Sequence, residues 1–129
     1  MSGDEISLTL PADEEFHRVA HLVIGGLAVR LDLTFEHLED LELALDALLQ
    51  RPLTEDALTL RVQVLDGELR TTVGPFSPMR AELERGGTEA LNLARILGAV
   101  CDRVEIADRD GSEWVKLTKR VHALKGGGE

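Results

Sequence analysis

The stretch TFEHLEDLELALDALLQ, Thr34 to Gln50, decides how the rest of the chain is read. Leu38, Leu41, Leu45 and Leu48 recur at intervals of three and four, which lines one side of a 3.6-residue helix with leucine. Thr34 suits the N-cap because its hydroxyl accepts from an unpaired first-turn N–H, and Glu36, Glu39 and Asp40 lie near the positive end of the helix dipole. Pro52 lacks the N–H that another turn requires and disfavours helical geometry at Arg51, so the helix ends near Gln50.

Before this helix, Ile6, Leu8 and Leu10 alternate with polar residues up to Pro11, the period of a strand with one buried face. Asp13, Glu14 and Glu15 then open a helix expected over 13–32, with a broad stripe from Phe16 to Leu31. Gly25 and Gly26 interrupt that stripe; they imply either close approach of another backbone or an irregular helix. His17 and His21 stand at i and i+4, but no Glu follows His17 and no third ligand is near, so a solvated pair is expected rather than a metal site.

After the helix, Leu58, Leu60, Val62 and Val64 alternate up to Asp66-Gly67, and Leu69, Thr71 and Val73 resume beyond it, which predicts a hairpin with a type I′ turn. Pro75 and Pro78 remove backbone donors, so Gly74 to Arg80 is expected to form a loop. Thr88 is the expected cap of a third helix over 88–101, with Leu93, Ile96, Leu97 and Val100 as its stripe. A second hairpin follows, Val104 and Ile106 on one arm and Val115, Leu117 and Val121 on the other, turning between Asp108 and Gly111. The tail KGGGE, 125–129, reads as disordered, leaving one domain over 1–124. Hairpins on this scale imply a mixed, mostly antiparallel sheet, and helices with one stripe each cover one of its faces, an α+β two-layer sandwich.

A formal charge of −10, from 24 acidic against 14 basic residues, repels a phosphate backbone at long range. Three Phe, one Trp and no Tyr give few platforms for stacking bases, so no nucleic-acid partner is expected. No apolar run reaches the length of a membrane span, MSGDEIS lacks the basic and apolar regions of a signal peptide, and the lone Cys101 forms no intrachain disulfide. The expected setting is the cytoplasm, away from membranes.

The order of elements, with particular residues, resembles the anti-sigma-factor serine kinases of the Bergerat-fold (GHKL, histidine-kinase-like ATPase) superfamily. The resemblance is carried by ISLTLPA at 6–12, GLAVRLDLT at 26–34, LEDLELALD at 38–46, the helical segment 90–101, DRVEI at 102–106 and VKLTKRV at 115–121. It implies the Bergerat fold over nearly the whole chain. In such kinases the helix matching Thr34 to Gln50 carries E-x-x-x-N, a general base and a magnesium ligand, and an ungapped match puts Ala47 and Arg51 there. A methyl group takes no proton, and a guanidinium has donors only. A one-residue shift offers Asp46 and Gln50 instead, at the cost of rotating the helix by about 100°.

The family's D-x-G, which reads adenine, falls on Pro75 and Ser77, and the glycines of its G-L-G-L phosphate loop on Ala90 and Asn92. The resemblance therefore implies a degenerate member without ATP, magnesium or catalysis. It acts by binding protein in a partner switch: a sigma factor, a STAS-type anti-anti-sigma protein or a paralogous kinase, as a homo- or heterodimer. The alternatives are a divergent serine kinase using Asp46 and Gln50, and a sensor holding another small molecule in the former nucleotide pocket.

Overall fold

The structure, a computed structural model, describes residues 5–51, 53–78, 80 and 87–121. Strand β1 (Glu5–Pro11) leads through a 3-10 turn (Glu14–Phe16) into helix α1 (His17–Arg30), and α2 (Phe35–Leu49) follows. Strands β2 (Ala57–Leu65) and β3 (Glu68–Phe76) form a hairpin, α3 (Thr88–Val100) comes next, and β4 (Arg103–Arg109) and β5 (Ser112–Arg120) form the second hairpin. The expected tail, 125–129, lies outside the described residues. Among the described residues no helix is long and apolar enough to cross a membrane.

The five strands lie in the order β1-β2-β3-β5-β4, and all four pairings are antiparallel. Among the described residues the sheet is therefore antiparallel throughout, without the parallel pair that a mixed sheet implies. The trace of such a pair is the β3-α3-β4 crossover: β3 and β4 run the same way, but β5 inserts between them and pairs antiparallel with both. Both hairpins close on two residues in left-handed geometry, Asp66-Gly67 (φ 55° and 78°) and Asp110-Gly111 (φ 53° and 82°), the φ values a type I′ turn demands.

Alternation sends Leu58, Leu60 and Val62 of β2, Leu69, Thr71 and Val73 of β3, and Val115 and Leu117 of β5 to one face, where they meet the helices. Ala20, Ile24 and Leu27 of α1, Leu41, Ala44, Leu45 and Leu48 of α2, and Leu93, Leu97 and Val100 of α3 complete one core. Leu8 and Leu10 are only half-buried, because β1 is an edge strand and no neighbour covers its outer side. Lys119 ties the layers together by an ion pair to Asp40 of α2 at 2.8 Å.

The central helix is capped as expected, but by a box with an unexpected partner. The His37 N–H donates to Thr34 Oγ1 at 3.1 Å, and the Thr34 N–H donates back to His37 Nδ1 at 3.3 Å, so the imidazole does what Glu does in the common capping box.

Three boundaries differ from the expectation. Strand β3 runs through Pro75 to Phe76 instead of ending before Gly74: pairing with β5 slips between Val73 and Phe76, and a residue at such a bulge needs no ladder donor. Gly87, not Thr88, is the N-cap of α3, its carbonyl accepting from the Leu91 N–H at 2.7 Å. Helix α1 starts at His17, so the acidic triplet precedes its first turn.

Gly25 and Gly26 produce neither of the effects expected of them. Helix α1 is continuous through both, and a Cβ at either position meets nothing within 4 Å. Gly25→Ala and Gly26→Ala are each expected to raise unfolding stability by about 1 kcal/mol, by removing backbone freedom from the unfolded chain. Urea titration checks this; a loss of stability in either variant would mean that something packs closely on that face.

Candidate functional site

The C-terminal turns of α2 face the start of α3 across a cleft of about 250 Å³ lined by Ala47, Gln50, Arg51, Asn92, Leu93 and Ile96. The 3.6-residue repeat of α2 puts Ala47, Gln50 and Arg51 on the side turned to α3, while Leu41, Ala44, Leu45 and Leu48 are buried. Of the positions singled out in the sequence, Ala47, Arg51, Gln50 and Asn92 come together here. Ala90 lies in the first turn of α3. Among the described residues the lining offers one guanidinium and two carboxamides and no carboxylate.

Asp46 does not line the cleft. One residue earlier on α2, its side chain points to α1, where it meets His21 Nε2 at 2.5 Å. Glu42, one turn back, approaches Nδ1 of the same ring at 3.4 Å. His21 is therefore bridged to two carboxylates of α2; it still shares an open pocket with His17, which also borders a crevice with Leu10, Phe16 and Leu49. Burial alone would lower the His21 pKa, but the hydrogen bond and charge of Asp46, helped by Glu42, outweigh it and raise the pKa above the usual 6.5.

A raised folded-state pKa contributes stability that is full below about pH 6.5 and is lost as pH rises through the folded value. His21→Gln is thus expected to destabilise by up to about 1 kcal/mol at pH 5.5 and by distinctly less at pH 9. Urea unfolding at both values measures it, and an equal loss at the two pH values would contradict the charged bridge.

The strand end matching the adenine-reading motif is filled by the protein itself. Pro75 is buried and its carbonyl accepts from the Thr54 N–H at 3.1 Å, while Phe76 is fully buried and bridges to Leu53. Ser77 is half-buried and borders none of the described cavities among those of the cleft and crevice. Just beyond, Arg80 fastens the segment after β3 to the second hairpin: its N–H donates to buried Glu113 at 3.0 Å, and its guanidinium donates to Asp108 Oδ2 at 3.1 Å and the Ile106 carbonyl at 2.6 Å. Asp108 is thereby engaged in an ion pair.

Neither the His21 bridge nor the Arg80 clasp had a local signal in the sequence, since their partners lie 21 to 33 residues away. Cys101, at the C-cap of α3, has its pKa pushed up to about 11, first by burial, so it is a thiol at neutral pH.

Comparison with protein-family models gives no match, and comparison with curated proteins gives none. Among solved structures the chain is similar to the RsbU and RsbW domains of Rv1364c from Mycobacterium tuberculosis. The TM-score is 0.68 at 16% identity, over 92% of this chain and 32% of that one. The likeness establishes the fold, the α+β sandwich described above, and this chain spans about a third of the length of that protein chain.

Proposed function

We propose that this chain is a non-catalytic regulatory protein that acts by binding protein, as a degenerate relative of the anti-sigma-factor kinases in a partner switch. The observation that carries the reading is the lining of the α2–α3 cleft. Where the resemblance puts a general base and a magnesium ligand, the chain has Ala47 and Arg51, and among the described residues no carboxylate lines the cleft from the α3 side. Phosphoryl transfer to serine needs an acceptor for the hydroxyl proton, and among the described lining residues none is a base; the carboxamides of Gln50 and Asn92 are the only side-chain oxygens there, and neither stands at the matched ligand position, which is Arg51. Asp46, the base of the shifted alignment, is turned to α1 and engaged by His21.

Binding in place of catalysis is also supported by the surface. Helix α1 leaves Leu22 71% and Val29 83% exposed, and Phe35 at the start of α2 is 71% exposed. Leu22 and Val29, seven residues apart, share one face of α1, and exposed apolar side chains that share a face favour cover by another protein. By analogy with the RsbW-containing neighbour, the partner is a sigma factor, a STAS-type antagonist or a paralogous kinase, met as a homo- or heterodimer in the cytoplasm.

Isothermal titration with magnesium-ATP tests the non-catalytic reading, and no heat at millimolar nucleotide is expected. Micromolar affinity that Asp46→Ala and Gln50→Ala each abolish would establish the kinase alternative and end this reading. Weak binding of free phosphate to Arg51 would not, because a guanidinium pairs with any phosphate.

A further inference from the structure

The helices cover one face of the sheet; among the described residues no element packs on the other, and its charge opposes that of the chain. The outward positions of the five strands carry Arg61, Arg70, Arg103, Arg109, Lys116 and Arg120, six of the chain's 14 basic residues. The same positions carry three of its 24 acidic residues, Glu5, Glu68 and Glu105. A chain of formal charge −10 thus presents a sheet face with a surplus of three positive charges.

The strand register sorts these charges into two adjacent rows. One row reads Ser7, Arg61, Thr72, Lys116, Glu105 across the sheet, and the next reads Glu5, Gln63, Arg70, Thr118, Arg103. Together they line a shallow depression of about 370 Å³. Arg70 is paired with Glu68 at 3.1 Å. Among the described residues the side chains of Arg61, Arg103 and Lys116 take part in no ion pair or hydrogen bond, although Lys116 sits opposite Glu105 in the register.

We infer that this open face is a docking surface for an extended acidic segment of a partner protein. The spacing decides against a point anion. Within each row the two cations are two strands apart, about 10 Å, too far for one phosphate or carboxylate to bridge. Between rows the separation along the strands is two residues, about 7 Å, which is also the repeat of side chains on one face of an extended peptide. An extended segment with acidic residues at alternate positions therefore meets both rows. A nucleic acid matches less well: the remainder of the chain repels it at long range, and the one aromatic ring on the face, Trp114, lies under the Arg109 guanidinium at 5.5 Å.

The inference rests on the reading that the chain works by binding protein, and adds where and with what chemistry. The probe is a decaglutamate peptide, with decaglutamine as the neutral control, titrated into the ¹⁵N-labelled full chain at 50 mM salt. Amide shifts centred on Arg61, Arg70, Arg103 and Lys116 are expected, with affinity falling at least tenfold in the double variant Arg61→Gln/Lys116→Gln. Arg18→Gln, which removes an exposed charge from α1, is expected to change it less than twofold. Thermal melting of the double variant, expected to match the parent because both side chains lie on the open face, shows that any loss is local.

No binding of decaglutamate, equal loss in Arg18→Gln, or tighter binding of a ten-nucleotide single strand to the same amides would overturn the assignment. The two proposals fail separately. A native protein partner captured equally well by the double variant ends the docking surface and leaves the regulatory reading standing. Magnesium-ATP affinity lost on changing Asp46 and Gln50 ends the non-catalytic reading and leaves the peptide titration untouched.

Discussion

Leu45→Asp is expected to yield no folded protein. Leu45 is 1% exposed, in the middle of α2 between Leu41 and Leu48, with α1 and the sheet packed around it. An aspartate there loses the leucine's burial and places a carboxylate among apolar neighbours with no donor to pair with. Together these cost more than about 4 kcal/mol, a large part of the stability of a domain this size. Circular dichroism and size exclusion would show an unfolded or aggregated chain. Leu43→Asp, two residues away on the half-exposed side of the same helix, is expected to fold normally. If Leu45→Asp melted like the parent, the packing of α2 on the sheet would be wrong.

The second large effect is expected at Gly74, where β3 passes beneath Trp114. A Cβ built on Gly74 would come within 2.7 Å of Trp114 Cδ2 and 2.8 Å of Cε3, closer than side-chain carbons approach one another. The atoms it meets belong to the body of the indole, which is also held by Arg109 on its face. Relief requires the ring or the β3 backbone to move, and β3 is central, paired to β2 and β5 on either side. Gly74→Ala should therefore destabilise by about 2–3 kcal/mol and shift the emission of the single tryptophan. Trp114→Ala removes the obstacle, so the double variant should be no less stable than Trp114→Ala alone, a coupling that urea unfolding resolves. Simple additivity would show that the cost at Gly74 has another cause.

The helix at the centre of the fold was legible because its causes are local. The leucine spacing, the Thr34 cap and Pro52 act within a few residues, and the helix found, Phe35–Leu49, follows them. The two hairpins were legible for the same reason, since Asp-Gly between alternating segments specifies a turn without reference to the rest of the chain. Even the partial errors are local rules overridden from a distance. Pro75 breaks a strand only if the strand needs its N–H, and the slip in pairing with β5, more than 35 residues on in sequence, removes that need.

Side-chain identity in the cleft was equally legible: Ala47 and Arg51 offer neither a base nor a cation ligand in any fold. Which groups gather there was not. Whether Asp46 or Ala47 faces α3 turns on the rotation of one helix against two others, and a single residue step, about 100°, separates the cleft from the His21 bridge.

The sequence by itself determined the elements, the turn types, the burial of one side of each helix and which functional groups stand at Ala47, Arg51 and Pro75, because periodicity, caps and functional groups are properties of residues and their near neighbours. Only the tertiary structure decided that β5 separates β3 from β4, that Asp46 pairs with His21 of α1, and that cations scattered from Arg61 to Arg120 share one face of an acidic chain. Those outcomes depend on strand order and register, which are set by packing over the whole core and leave no mark in any short stretch of sequence.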